Sequence, residues 1–229
     1  MGYGCMKNIY MVAVLLIFTA GNVSAALING GFENPVNRFN YQFYDEEAVD
    51  GWNSDAADGK IEIWKTGFLG VDAYEGDQFV ELNANMEAAL YQDVSGINFG
   101  DRIDWEFAHR GRRGLDTVRL SITDLGADNQ FGTADDSTLF TGDFSTNNDA
   151  WVFYSGSLSI LALGNDVRFE WDSISSAGGI SVGNFLDGAA YGVSHENEPV
   201  PEPATLVLFG AGLVGLAGGV LRRGKKKTA

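Results

Sequence analysis

Across the middle of the chain, apolar side chains recur at every second position and polar ones fill the gaps. Ile103, Trp105, Phe107 and His109 alternate with Asp104, Glu106, Ala108 and Arg110, and Val118, Leu120 and Ile122 alternate with Arg119, Ser121 and Thr123. A period of two places successive side chains on opposite faces, so each run predicts a half-buried β-strand. Shorter candidates are Ile61 to Trp64, Gln78 to Leu82, Ala88 to Val94, Trp151 to Leu158, Val167 to Ser173 and Phe185 to Val193. Clusters of Gly, Asn and Asp separate them, as turns require. No stretch between the two ends keeps a helical period. Short strands joined by glycine-rich turns predict an all-β antiparallel sandwich whose two sheets bury alternate residues. Trp52, Trp105, Trp151 and Trp171 are assigned to its core, and Trp64 stays open between core and surface.

The ends of the chain carry a different pattern. Lys7 precedes the apolar stretch Ile9 to Ala20, and Val23, Ser24 and Ala25 supply small residues for cleavage, which predicts a secretory signal helix over residues 1–25. Met6 followed by Lys7 is a more natural start than Met1. At the other end Pro201, Glu202 and Pro203 precede an uncharged apolar run from Ala204 to Leu221, and Arg222, Arg223, Lys225, Lys226 and Lys227 follow it. That run makes a helix of about 27 Å, close to one bilayer core. Its basic end belongs on the cytoplasmic side, which puts the body of the chain across the membrane. The two prolines keep the preceding peptide extended and open to a processing enzyme.

The segment from Val200 to Lys227 resembles the PEP-CTERM sorting signal of Gram-negative bacteria. Its motif falls on Val200, Pro201, Glu202 and Pro203 at the head of a sorting region over residues 199–229, with the transmembrane helix at 204–221 and the basic tail at 222–227. The resemblance implies a transient membrane anchor, recognition by an exosortase, cleavage near the motif, and delivery to the cell surface or a biofilm exopolysaccharide matrix. A tail-anchored protein that is never cut is the alternative.

Residues 26–198 have the length of one domain with a full hydrophobic core. All 31 acidic residues lie between Glu33 and Glu202, while six of the 15 basic ones stand in the leader and tail, so the exported part is more acidic than the whole-chain net charge of −16. Such a surface excludes nucleic acid as a partner and favours a soluble secreted domain. The single cysteine, Cys5, lies in the leader, so disulfides and cysteine-ligated metals are excluded from the exported part.

Leu27 to Glu33, reading LINGGFE, resembles the opening of galactose-binding-domain-like jelly rolls. The strand from Ala89 to Val94, the turn at Gly100 and the closing Gly183 to Asp187 resemble that family's later phrases. Gly188 and Ala189 depart from the pattern, which leaves the last strand's register open. The resemblance implies a jelly-roll sandwich with its first and last strands together, where Glu33 and Asp187 supply oxygens to a structural Ca2+ ion, helped by backbone carbonyls. A second candidate calcium loop runs from Asp124 to Asp136 through Asp128 and Asp135; a solvated hairpin loop is its plainer reading.

Two features point to sugars. His109, Arg110, Arg112 and Arg113 cluster between two strands, where guanidinium forks can bind acidic polysaccharide or pair with the domain's own carboxylates. Trp64, Phe68 and Tyr74 offer rings for stacking on pyranose faces. No His-Glu-x-x-His, Walker A or Gly-x-Ser-x-Gly motif is present, so a nucleophilic triad is not expected; a glycosidase carboxylate pair among Glu62, Glu81 and Glu106 is the residual enzymatic alternative. The expected function is a non-catalytic, carbohydrate-contacting surface or matrix protein without organic cofactor. A purely structural, calcium-stabilised surface protein is the second reading.

Overall fold

The computed structural model describes residues 26–160 and 166–195; the leader, the motif at Val200 to Pro203 and the span after it lie outside the described residues. The regular structure there is eleven strands and one short 3-10 turn, Glu46–Ala48. The strands are β1 Tyr41–Asp45, β2 Asn53–Ser54, β3 Lys60–Lys65, β4 Gln78–Glu81, β5 Ala89–Val94, β6 Asp101–Arg110, β7 Asp116–Asp124, β8 Ser137–Thr146, β9 Val152–Ser159, β10 Val167–Ser175 and β11 Phe185–His195. A six-stranded sheet runs β1-β3-β4-β11-β6-β9 and a five-stranded sheet β2-β5-β10-β7-β8, every pairing antiparallel. This is the expected all-β jelly-roll sandwich.

The core follows the predicted parity. Ile61, Ile63, Val80, Leu186, Ile103 and Phe107 turn inward from the larger sheet and meet Leu90, Phe169, Trp171, Val118, Leu120 and Ile122 from the smaller. Strands β1, β2 and β8 are absent from the sequence pattern. Strand β8 turns Phe140, Gly142 and Phe144 inward opposite Ile122, Leu120 and Val118, and its central glycine breaks the apolar period. A Cβ at Gly142 would meet the Phe140 ring, and one at Gly156 on β9 would meet the ring of Trp105. Trp105 packs 5.0 Å from Phe140 and 5.6 Å from Phe144, so the bulk of one strand fills the space its neighbours leave.

The open register of the last strand resolves into a bulge between Asp187 and Ala190. Gly188 there has φ 57°, a left-handed value that suits glycine. Opposite it, the Ala189 amide donates to the Gly30 carbonyl at 3.0 Å, and a Cβ on Gly30 would strike the Ala189 carbonyl. Gly30 of the opening Asn-Gly-Gly phrase and Ala189 of the closing strand's bulge are thus two halves of one contact.

Candidate functional site

The outer face of the six-stranded sheet has a covered half and an open half. On β3 the parity that sends Ile61 and Ile63 inward sends Glu62 and Trp64 outward, and on β4 it does the same for Phe79 and Glu81. These outward side chains do not reach water. The loop over residues 66–77 folds back across Trp64 and Phe79, and Phe68, Val71, Ala73 and Trp151 pack with Trp64, Phe79 and Phe185 into a second hydrophobic cluster.

Within this covered half, Glu62 and Glu81 stand opposite each other across the β3–β4 ladder, 3% and 1% exposed. Their carboxyls hydrogen-bond one another. Glu81 also accepts from Arg112 Nη1 at 2.8 and 2.9 Å and from the Gly183 amide at 2.7 Å, while Glu62 accepts from Trp64 Nε1 at 3.1 Å. Two dry carboxyls this close do not both ionise. Burial raises the pKa of each, and the charge of Glu81 raises that of Glu62 further. The proton belongs to Glu62, because the guanidinium and the amide both serve Glu81. Arg112 lies over the Trp64 ring at 4.6 Å and its backbone N–H donates to Asp116 at 2.9 Å.

Next to this trio, His109 is fully buried, with Nδ1 2.9 Å from Thr146 Oγ1 and Nε2 2.9 Å from Asn184 Oδ1. The Asn184 amide nitrogen donates to Asn83 and Ser173, so its oxygen accepts and the imidazole proton sits on Nε2. Burial lowers the His109 pKa to about 4, which keeps the ring neutral. The network is structural.

Beyond the bulge the same face opens. Ala190 and Gly192 on β11, Ser155 and Ser157 on β9, and Asp104 and Glu106 on β6 face outward, and their small size hollows a groove of about 450 Å3. A Cβ on Gly192 would meet nothing. Arg102 also lines the groove, donating to Asp104 Oδ1 at 2.9 Å and to Ser157 Oγ at 2.9 Å. Two residues along β9 from Ser155, Phe153 extends the same face as a rim, stacked on Tyr74 with ring centres 6.2 Å apart. Tyr74 is 44% and Phe153 47% exposed. The arrangement sets flat apolar rings beside a floor of hydroxyl donors and carboxylate acceptors.

The predicted residues are distributed unevenly over this face. Tyr74 stands on the rim as an exposed ring. Trp64 is corrected: at 1% exposure it faces protein, not a sugar. His109 is likewise corrected to a core residue, Arg112 is spent on Glu81, and Arg110 donates from Nη2 to the Asn148 carbonyl. Trp151, assigned to the core, instead sits half-buried on the outer face and donates from Nε1 to the Asp72 carbonyl. Phe153, Ser155, Ser157 and Gly192 were not singled out by the sequence. Their signal lay in the small, alternating outward positions of β9 and β11.

The carboxylates suggested for calcium serve as loop anchors. Glu33 accepts the amides of Asp77 and Gln78, and Asp187 those of Tyr74, Glu75 and Gly188, so both grip the covering loop. Burial raises the Asp187 pKa to about 7. In the other loop Asp124, Asp128, Asp135 and Asp136 accept amides of Gly126, Gln130, Ala127 and Gly132 respectively. Among the described residues no group of three or more His, Cys, Asp or Glu side chains is placed to hold a metal ion.

Comparison with known proteins bears on the ends and the fold. The PEP-CTERM protein-sorting motif matches residues 199–223, so the chain carries the signal of an exported protein processed by an exosortase. No curated protein matches the chain in sequence. A cyclase from Fischerella sp. TAU in complex with 4-(1H-indol-3-yl)butan-2-one superposes with a TM-score of 0.55 at 13% identity, covering 77% of this chain and 100% of that one. The apo form of a cyclase from Fischerella sp. gives 0.53 at 12% identity, covering 79% and 100%. Family 16 Carbohydrate Binding Module-2 gives 0.47 at 12% identity, covering 72% and 97%. At these identities the likeness to the two cyclases is one of fold.

Proposed function

We propose that this is a non-catalytic protein of the cell surface or extracellular matrix, which holds a polysaccharide chain in the open groove of its six-stranded sheet. One observation carries the reading: an exposed pair of stacked rings, Tyr74 and Phe153, continues a groove floored by Ser155, Ser157, Asp104 and Glu106. Ring faces bury the apolar side of a pyranose, and hydroxyl and carboxylate groups take up its hydroxyls. The carboxyls whose pKa values are pushed to near or above neutrality, Glu62, Glu81 and Asp187, are buried and line none of the groove, Asp187 lying beneath the Tyr74–Phe153 rim, and that burial argues against acid–base work on a bound sugar.

The test is titration calorimetry of residues 26–198 against neutral, acidic and amino-sugar oligosaccharides, with a parallel assay for released reducing ends. Wild type is expected to bind at least one class without releasing sugar. Gly192→Val fills the groove from an extended strand position with open space, and Phe153→Ala removes half the rim. Both are expected to lose binding while their melting temperatures stay within about 3 °C of wild type. Absence of binding to every class, or binding unchanged in both variants, would overturn the reading.

A further inference from the structure

We propose that the groove selects its glycan by charge, favouring a polymer of amino sugars with free, protonated amines over neutral polymers and rejecting those built from uronic acids or bearing sulfate. This rests on the groove being the glycan site. The floor carries one cation, Arg102, and that cation is engaged: it donates to Asp104 and to Ser157 in the same plane of the sheet. Glu106 faces outward in the next position along β6, between Ala190 on β11 and Ser155 on β9. Among the described residues it has no hydrogen-bond or ion-pair partner, and it is exposed.

The floor therefore presents one uncommitted carboxylate beside two small hydroxyls. A carboxylate is an acceptor only, so it takes hydrogen bonds from a sugar hydroxyl and stronger, charge-assisted ones from an ammonium. A uronate or sulfate oxygen at the same place brings like charge against Glu106 with nothing to neutralise it. Of the arginines in the 110–113 cluster, Arg112 is closed on Glu81, Arg110 donates to Asn148, and Arg113 is not among the residues lining the groove. The small residues flanking Glu106 leave room for a substituent at its side. Ala190 and Ser155 are its cross-strand neighbours, and Gly192 opens the next position.

The experiment compares three tetrasaccharides on residues 26–198 at about 150 mM salt, where charges further apart than roughly 8 Å are screened. The probes are β-1,4-linked glucosamine, its fully N-acetylated counterpart and galacturonic acid. The amine form is expected to bind about fivefold more tightly than the acetylated one, and the uronate not measurably. Glu106→Gln is expected to bring the amine and acetylated forms level without loss of the acetylated one. Asp143→Asn, on the outer face of the other sheet, serves as the control for general attraction of a cation to an acidic protein. Equal losses of amine binding in the two variants would assign the preference to overall charge and overturn the inference. So would equal wild-type affinity for amine and acetylated forms, an outcome that leaves the proposed function standing. Failure of all three sugars in wild type removes both.

Discussion

Glu81 and Glu106 both point outward from the six-stranded sheet, on the two strands that flank β11. Glu81 is buried, hydrogen-bonded to Glu62 and clasped by Arg112 from the loop between β6 and β7, whereas Glu106 stands in the open groove with no partner among the described residues. The residue type and strand parity are the same. What separates them is whether a loop excludes water, because a buried carboxyl must find a cation or keep its proton, and an exposed one stays solvated and available to a ligand. A single sheet face is thus divided into a part that holds the molecule together and a part free to bind.

The strongest way to break that division is Arg112→Ala. The guanidinium is mostly buried and Glu81 wholly so, and removing one partner of a buried pair typically costs about 3–5 kcal/mol. In a domain of this size that lowers the melting temperature by roughly 10 °C. The fall should be larger at pH 8 than at pH 5, where both carboxyls can hold protons. Scanning calorimetry at the two pH values checks it, and a loss below about 1 kcal/mol at both would mean the covered half is no more than a solvated surface.

The next largest effect is expected from pH on the unaltered protein. Glu62, Glu81 and Asp187 bind their protons more tightly when folded, Asp187 up to about 7 from an ordinary 3.8. The folded state then takes up protons that the unfolded chain releases, so the stabilisation is fully present below the ordinary carboxyl range and is lost as pH rises through neutrality. Melting temperature should therefore decline from pH 5 to pH 9, by about 5 °C or more. Glu62→Gln keeps a neutral donor to Glu81 and an acceptor for Trp64 Nε1, so it should flatten much of that slope. A melting temperature that rises with pH over this range would show that these carboxyls are ionised when folded, and the covered half would need another source of cohesion.

Much of the fold was legible because parity survives in sequence. The inward runs of β6 and β7 were read residue by residue, and Val118, Leu120 and Ile122 are all fully buried. Strand β8 was illegible because Gly142 occupies an inward position that the rings of Phe140 and Phe144 fill from either side. The covered half was illegible for a different reason. A period of two assigns Trp64 and Glu62 to the outer face, and nothing in the local pattern says that the loop directly after β3 will fold back over Trp64 or that Arg112 will close on the Glu62–Glu81 pair. Tyr74 was found because it sits in an aromatic run flanked by turns. Phe153 was missed because the groove it borders is defined by small residues on its own strand and on β11, a property of the assembled sheet.

The smallest effect should come from the open half. Arg102 and Asp104 are joined by a salt bridge with both side chains about half exposed, 47% and 50%, and such surface pairs contribute at most about 1 kcal/mol. Arg102→Gln should move the melting temperature by less than roughly 3 °C in low salt. About 0.5 M salt should abolish even that difference, since the pair is screened by solvent ions. The Arg112→Ala deficit should persist under the same salt, because little solvent reaches Glu81. The ratio of the two deficits, measured with and without salt, therefore reports directly on which half of the face is dry, and deficits that respond equally to salt would dissolve the boundary between them.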